Sequence, residues 1–231
     1  MKIDLHIHTN FSDDGLSSPR EVVDSAIEKG LDAICITDHD EIKGALEALK
    51  YAFDKNILVI PGIEITTRYD HVLAINIKKI IPRSLSFYQT LKEIRKQKAL
   101  AVVPHPFCWP VGEFFGTEKD LLMADAIEVF NAHIISFSNK KALKLSQKYN
   151  LPFTAGSDAH KAKFVGRGYL EIPKENLSEE KILEEIRQRT GIVRGKSLSI
   201  MENIENGKGT KFLPYLRDYF RLKSTSRKFK N

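Results

Sequence analysis

Seven histidines are spread along the 231 residues, and each stands beside a short run rich in Ile, Val or Ala. His6 and His8 close KIDLHIH, His39 closes AICITDH and His71 opens HVLAI, while His105 follows AVVP, His133 follows IEVFNA and His160 follows TAGSDA. The acids Asp13, Asp38, Glu64 and Asp158 hold the same kind of position. Imidazoles and carboxylates gathered this way could bind divalent cations, because burying such groups together without compensating positive charge disfavours the folded state. His6 and His8 alternate on an extended segment, so both side chains face one side, a spacing suited to two ligands on one ion. A donor set of nitrogen and oxygen without thiolate suits zinc, manganese or iron better than calcium or magnesium.

For these groups to meet, the segments that carry them must end on a common rim. The chain alternates apolar runs of strand length with stretches whose apolar residues recur at three- and four-residue spacing, the pattern of β-strands alternating with α-helices and hence of a largely parallel sheet. Strands are expected at 3–7, 33–37, 58–63, 71–77, 101–104, 126–130, 153–156 and 169–172, and helices at 19–29, 41–54, 84–97, 139–148 and 178–189. In the first helix Val22, Val23, Ala26 and Ile27 form the apolar face, Pro19 suits the first turn and Gly30 the stop. In a parallel barrel the C-terminal strand ends converge on the face where active sites are built.

Composition fits one globular domain, at 42% hydrophobic and 29% charged residues. No apolar run reaches membrane-spanning length and MKIDLHIH starts as a strand, not as a signal peptide, so a cytoplasmic protein without membrane contact is expected. Cys35 and Cys108 are too few for a disulfide framework, and Cys35 reads as a buried thiol. The net charge of +6 is concentrated at the end, where residues 207–231 carry eight Lys or Arg against Asp218 alone. That tail, with a short helix at 213–222 or no fixed structure, is expected to be separate from a domain spanning 1–206, and it favours anionic partners such as nucleic acid.

The motifs DLHIHTNFSDDG, ITDHD, PGIE, HVL, PHP and GSDAH, in this order, resemble those of the PHP (polymerase and histidinol phosphatase) family of metal-dependent phosphoesterases, over roughly residues 2–172. The resemblance implies a distorted, TIM-like (β/α)7 barrel with a three-metal site. By the same resemblance His6, His8, Glu64 and Asp158 hold one metal, and Glu64 bridges to a second that is held also by His71 and His105. Asp13, His39 and His160 hold the third, with Asp14 the alternative to Asp13 because the loop reads SDDG where many members have SDG. His133 stands where relatives often carry arginine after an E-V-x-N stretch, and is assigned to the phosphate pocket. Asp38 is taken to orient a ligand imidazole. The short segment between His71 and His105 leaves no room for the inserted substrate domain of some relatives.

The implied reaction is hydrolysis of a phosphate ester by hydroxide formed from water between two Glu64-bridged cations, with Mn, Fe or Zn as the metals. The third metal, His133, Arg167 and Lys161 would bind phosphoryl oxygens and offset the charge that builds in the transition state. There is no G-x-S-x-G nucleophile elbow, no G-x-x-x-x-G-K-[ST] phosphate loop and no dinucleotide glycine fingerprint. Trp109, with Phe107, Phe114 and Phe115, is a candidate to line the mouth and stack on a nucleobase. The expected substrate is a nucleotide, an oligonucleotide 5′ end or another small phosphorylated metabolite. A histidinol-phosphate type phosphatase is the rival enzyme, and a catalytically silent, metal-stabilised nucleic-acid-binding domain is the reading from another class.

Overall fold

Helices begin where the sequence provides a cap. Ser18 accepts a hydrogen bond from the N–H of Glu21, whose carboxylate accepts the N–H of Ser18 in return, and Pro19 occupies the first turn. Val22, Val23 and Ala26 are buried as expected; Ile27 stays 37% exposed, because the apolar stripe is narrower than the sequence spacing suggests. Gly30 ends the helix with φ +66°. Ser86 with Gln89, and Ser199 with Glu202, start helices in the same way.

The computed structural model describes residues 1–108, 112–113, 117–134, 136–173 and 178–207. Trp109, Phe114, Phe115 and the basic tail from 208 onward lie outside them. In chain order the elements are β1 (Lys2–Ile7), α1 (Pro19–Glu28), β2 (Ala33–Ile36), α2 (Lys43–Tyr51), β3 (Leu58–Thr66), β4 (His71–Ile75), α3 (Phe87–Lys96), β5 (Leu100–Val103), the short hairpin β6 (Phe107–Cys108) and β7 (Gly112–Glu113), α4 (Glu118–Leu121), β8 (Ala126–Asn131), α5 (Ser136–Tyr149), β9 (Phe153–Gly156), β10 (Gly168–Glu171), α6 (Glu179–Gln188), β11 (Ile192–Gly195) and α7 (Ile200–Asn206). All eight expected strands and all five expected helices are present, with shifted ends; β11, the β6–β7 hairpin, α4 and α7 are additional.

The main sheet has the order β11-β10-β1-β2-β3-β4-β5-β8-β9. The β1–β2, β2–β3, β5–β8 and β8–β9 pairs are parallel, whereas β4 runs against both of its neighbours and β10 against both of its own. The sheet curls into a nearly closed barrel, in which His8 N–H donates to the Ala159 carbonyl (2.9 Å) and Asp158 N–H to the His6 carbonyl (2.8 Å) across the seam beyond β9 and β1. Ile3, Leu5, Cys35, Ile60, Leu73 and Val102 fill the interior with Ile182 and Ile186 of α6, while a second apolar layer separates the sheet from α1, α2, α3 and α5. Cys35 is buried there and its thiol pKa is pushed far up by burial, in keeping with an inert thiol. No helix among the described residues is long and apolar enough to cross a membrane.

Candidate metal centre

Ile3 and Leu5 point into the barrel, and on an unbroken strand the next residue, His6, would face outside. The pairing of β1 with β2 shifts register between Asp4 and Ile7, and beyond that shift His6 and His8 both face inward while Ile7 joins the outer layer. Their Nε2 atoms stand 3.1 Å apart, each 3.2 Å from Oε2 of Glu64 and 3.7 and 3.4 Å from Oδ1 of Asp158. Glu64 is on β3, 2% exposed, and its other oxygen faces His71 Nδ1 at 3.4 Å and His105 Nε2 at 3.5 Å.

His71 reaches this rim because β4 is antiparallel to β3: the residue that opens β4 pairs with Thr66, the last of β3. A wholly parallel sheet would have left it at the opposite end. His105 and Asp158 adopt left-handed backbone conformations, φ +26° and +51°, sparsely populated for residues other than glycine and found where surrounding structure holds a functional group in place.

At the third corner the two candidate aspartates differ in placement. Asp13 is exposed, and Asp14 is the acid that faces inward, its Oδ2 lying 3.3 Å from His160 Nε2 and 3.6 Å from His39 Nε2. The tight turn that closes on Gly15, where an added Cβ would lie 1.7 Å from the Thr9 carbonyl oxygen, brings the second aspartate rather than the first under the histidines. His39 Nδ1 is also 3.7 Å from Glu64.

A second layer orients these groups. Glu128 of β8 accepts His6 Nδ1–H (3.1 Å), the His105 backbone N–H (3.0 Å) and the Asn131 amide (3.0 Å), and Asn131 also donates to Asp158 (3.1 Å). Asp38 accepts the Thr9 backbone N–H (2.6 Å), the Thr9 hydroxyl (2.7 Å) and the Ser12 hydroxyl (3.1 Å). Ser12 Oγ in turn lies 3.2 Å from His8 Nδ1, so Asp38 reaches the His8 imidazole through Ser12. Asp4, fully buried, accepts the N–H groups of Ser157 (2.8 Å) and Gly166 (2.7 Å), and burial raises its pKa to about 6 against those hydrogen bonds. Of these supports only Asp38 was legible beforehand. Glu128 and Asp4 carry a weak signal, a lone acid inside the apolar runs AIEVF and KIDLHI.

Of the remaining candidates, His133 is brought to the centre, its donor atoms grouping with those of Asp158 and His160. Arg167 sits just ahead of β10 with its guanidinium on Glu202 of α7 at 2.9 Å, so it is already engaged by an acid. Lys161 has its backbone N–H on the Asn206 side-chain oxygen (3.3 Å). The Phe107 ring is covered by the Lys141 ammonium at 4.0 Å.

The electrostatics are those of buried carboxylates and imidazoles that favour each other's charged forms. Burial alone would lower the pKa of His8, but its hydrogen bonds to Asp158 and Glu64 raise it to about 10. His6 is likewise held well above the ordinary value: burial opposes, and the charges of Asp158, Glu128 and Glu64 prevail. Glu64 and Asp158 are held well below the carboxylate range by the imidazoles around them in spite of burial. Burial, reinforced by the neighbouring imidazoles, pushes His133 down to about 4.

The residues fit divalent cations on geometry as well as donor type. Groups formed by His6, His8 and Asp158, by His6, Glu64 and His105, by His8, His39 and Glu64, and by His8, Asp14 and His160 each have ligand atoms within 4.8 Å of one another. Glu64 Oε1, Asp14 Oδ1 and His105 Nδ1 are buried without a hydrogen-bond partner, an arrangement costly unless another charge satisfies it.

Residues 137–190 match the PHP-associated family model. An uncharacterized protein of Methanocaldococcus jannaschii is 34% identical over 143 residues, 58% of this chain and 83% of the relative. A 5′-3′ exoribonuclease of Haemophilus influenzae is 34% identical over 105 residues, 44% of this chain but 38% of the enzyme. Among solved structures, a two-domain protein of Bacteroides vulgatus containing a PHP-like metal-dependent phosphoesterase superposes with TM-score 0.72 at 25% identity, covering 85% of this chain and 65% of that one.

Proposed function

The chain belongs to the PHP family of metal-dependent phosphoesterases, and on that footing we propose that it hydrolyses a nucleotide or the 5′ end of an oligonucleotide at a centre of two or three Mn, Fe or Zn ions. The observation that carries the reading is Glu64: a buried carboxylate with imidazole nitrogens facing both of its oxygens is built to bridge two cations. His6, His8 and Asp158 would share the first cation with it, His71 and His105 the second, and Asp14, His39 and His160 would hold a third. Bound cations would activate water and take up charge from the phosphoryl oxygens.

The chain's own groups prepare that chemistry. Glu128 takes the Nδ1 proton of His6, and Ser12, whose hydroxyl is directed to Asp38, takes that of His8, so both imidazoles turn Nε2 lone pairs toward the centre. His160 does the same by donating Nδ1–H to the Asp158 carbonyl (3.0 Å). His133, just past the end of β8 and grouped with Asp158 and His160, would face a phosphoryl oxygen. Two features support a nucleotide or nucleic-acid substrate: the similarity to an exoribonuclease, and Arg68 with Tyr69, both exposed in the turn just ahead of His71, which place a cation and an aromatic ring on the rim.

The test is a panel of sugar phosphates, histidinol phosphate, nucleotides and short oligonucleotides offered to the Mn-, Fe- and Zn-loaded protein. Nucleotides or oligonucleotides are expected to be turned over best, and H6A, E64A and D158A to remove most of the rate; full activity in all three variants would refute the site. The basic segment is proposed as a nucleic-acid contact, so deleting 207–231 should weaken oligonucleotide capture across a salt series while hydrolysis of small phosphates persists.

A further inference from the structure

The ligand histidines whose Nδ1 has a partner, His6, His8 and His160, all face an oxygen there: Glu128, Ser12 and the Asp158 carbonyl. His133 differs, because its Nδ1 faces a nitrogen, Nδ2 of Asn206, at 2.9 Å. The orientation of the Asn206 amide follows from its other contacts. Its oxygen accepts the backbone N–H groups of His160 (2.9 Å) and Lys161 (3.3 Å), and its nitrogen also donates to the Asp158 carbonyl (2.9 Å). An amide turned the other way would oppose donor to donor and acceptor to acceptor at each of these. One N–H therefore goes to Asp158 and the other to His133 Nδ1, which must offer a lone pair, so the ring proton sits on Nε2.

Asn206 is fully buried and ends α7, outside the segment that matches the family model. The helix is fastened to the loops that carry both histidines: Leu198 N–H donates to the Ala132 carbonyl (2.7 Å), Glu202 pairs with Arg167 (2.9 Å), and Glu205 pairs with Lys163. Residues far apart in sequence, 133, 158 and 160, are thus referred to one side chain of the C-terminal helix.

We propose that Asn206 is a positioning residue of the centre: its amide fixes His133 as the Nε2–H tautomer, so that this imidazole meets substrate as a hydrogen-bond donor and does not serve the metals as a ligand. The consequence for substrate rests on the phosphoesterase reading; the tautomer does not. A neutral donor of this kind suits a phosphoryl oxygen on which charge develops during the reaction.

Long-range proton–nitrogen correlation spectra of the metal-free, nitrogen-15-labelled full chain read the tautomer directly, with the H133A spectrum assigning the signal. In the unsubstituted protein His133 should carry its proton on Nε2. In N206D, where the carboxylate still accepts from residues 160 and 161 but cannot donate, the proton should move to Nδ1. In the metal-loaded protein N206D and N206L, the latter removing the donor without adding charge, should lower kcat about 10- to 100-fold. Adding H133A to either should cost little more, since both changes remove one function. A proton on Nδ1 in the unsubstituted chain, or losses that multiply in the double variants, would overturn the proposal. The first readout needs no change at Asn206 and stands even where N206D or N206L fails to fold. An unsubstituted chain with the Nε2–H tautomer but no hydrolysis of any phosphate ester would count against the function alone.

Discussion

At the scale of single residues, the centre works by sorting protons. Imidazoles can hold cations only through deprotonated nitrogens, and Glu128, Ser12 and the Asp158 carbonyl each take the Nδ1 proton that leaves Nε2 free. Glu128 was not legible in the sequence as part of the site, yet it touches His6, the His105 backbone and Asn131 at once. E128Q keeps its size and removes its charge. It should weaken metal binding about 10- to 100-fold, measured by competition with a chelating dye, while the fold persists by circular dichroism. The choice between Asp13 and Asp14 belongs to the same scale: adjacent identical residues differ only in which one the turn at Gly15 directs inward, and no pattern in SDDG expresses that.

At the scale of elements, the site depends on strands that depart from regular pairing. Register shifts in β1 and β8 fall at the residues that must change face, His6 and the stretch from Glu128 to Phe130, and the reversed direction of β4 brings His71 to the rim. Gly156, at the end of β9, lets that strand approach β1: a Cβ there would lie 2.4 Å from His6 Cβ and 3.0 Å from Glu128 Oε1. G156A should therefore push His6 and Glu128 apart. The expected cost is about 1–3 kcal/mol in chemical unfolding, with metal affinity falling as well, and an unaltered affinity would mean that the strand relaxes without moving His6. Strand and helix positions were readable because apolar periodicity is a local property. Strand direction and bulges were not, because both are settled by partners remote in sequence.

At the scale of the whole molecule, the fold buries carboxylates and imidazoles whose ionisation is coupled, so stability and metal binding are linked. Without metal, His8 has its pKa raised from 6.5 to about 10 by Asp158 and Glu64. A group with a raised folded-state value stabilises the fold fully below its unfolded value, and that contribution is lost as pH rises through the folded value. Chelator-treated protein should thus lose melting temperature between neutral pH and about 10, while metal-loaded protein should not, since cations replace the protons; parallel melting curves for the two forms would contradict this. Metal affinity should rise over the same window, read as proton release in calorimetry. The sequence by itself determined the α/β alternation and which imidazoles and carboxylates were candidates for the centre, because each depends on residue type and nearby spacing. Only the tertiary structure decided that β4 runs in reverse, that Asp14 and not Asp13 faces the histidines, that Glu128 lies beneath His6, and that Asn206 of the last helix reaches His133. The contact of Glu128 with His6 alone joins residues 122 apart, and such a distance is closed by packing in three dimensions, for which a linear pattern carries no signal.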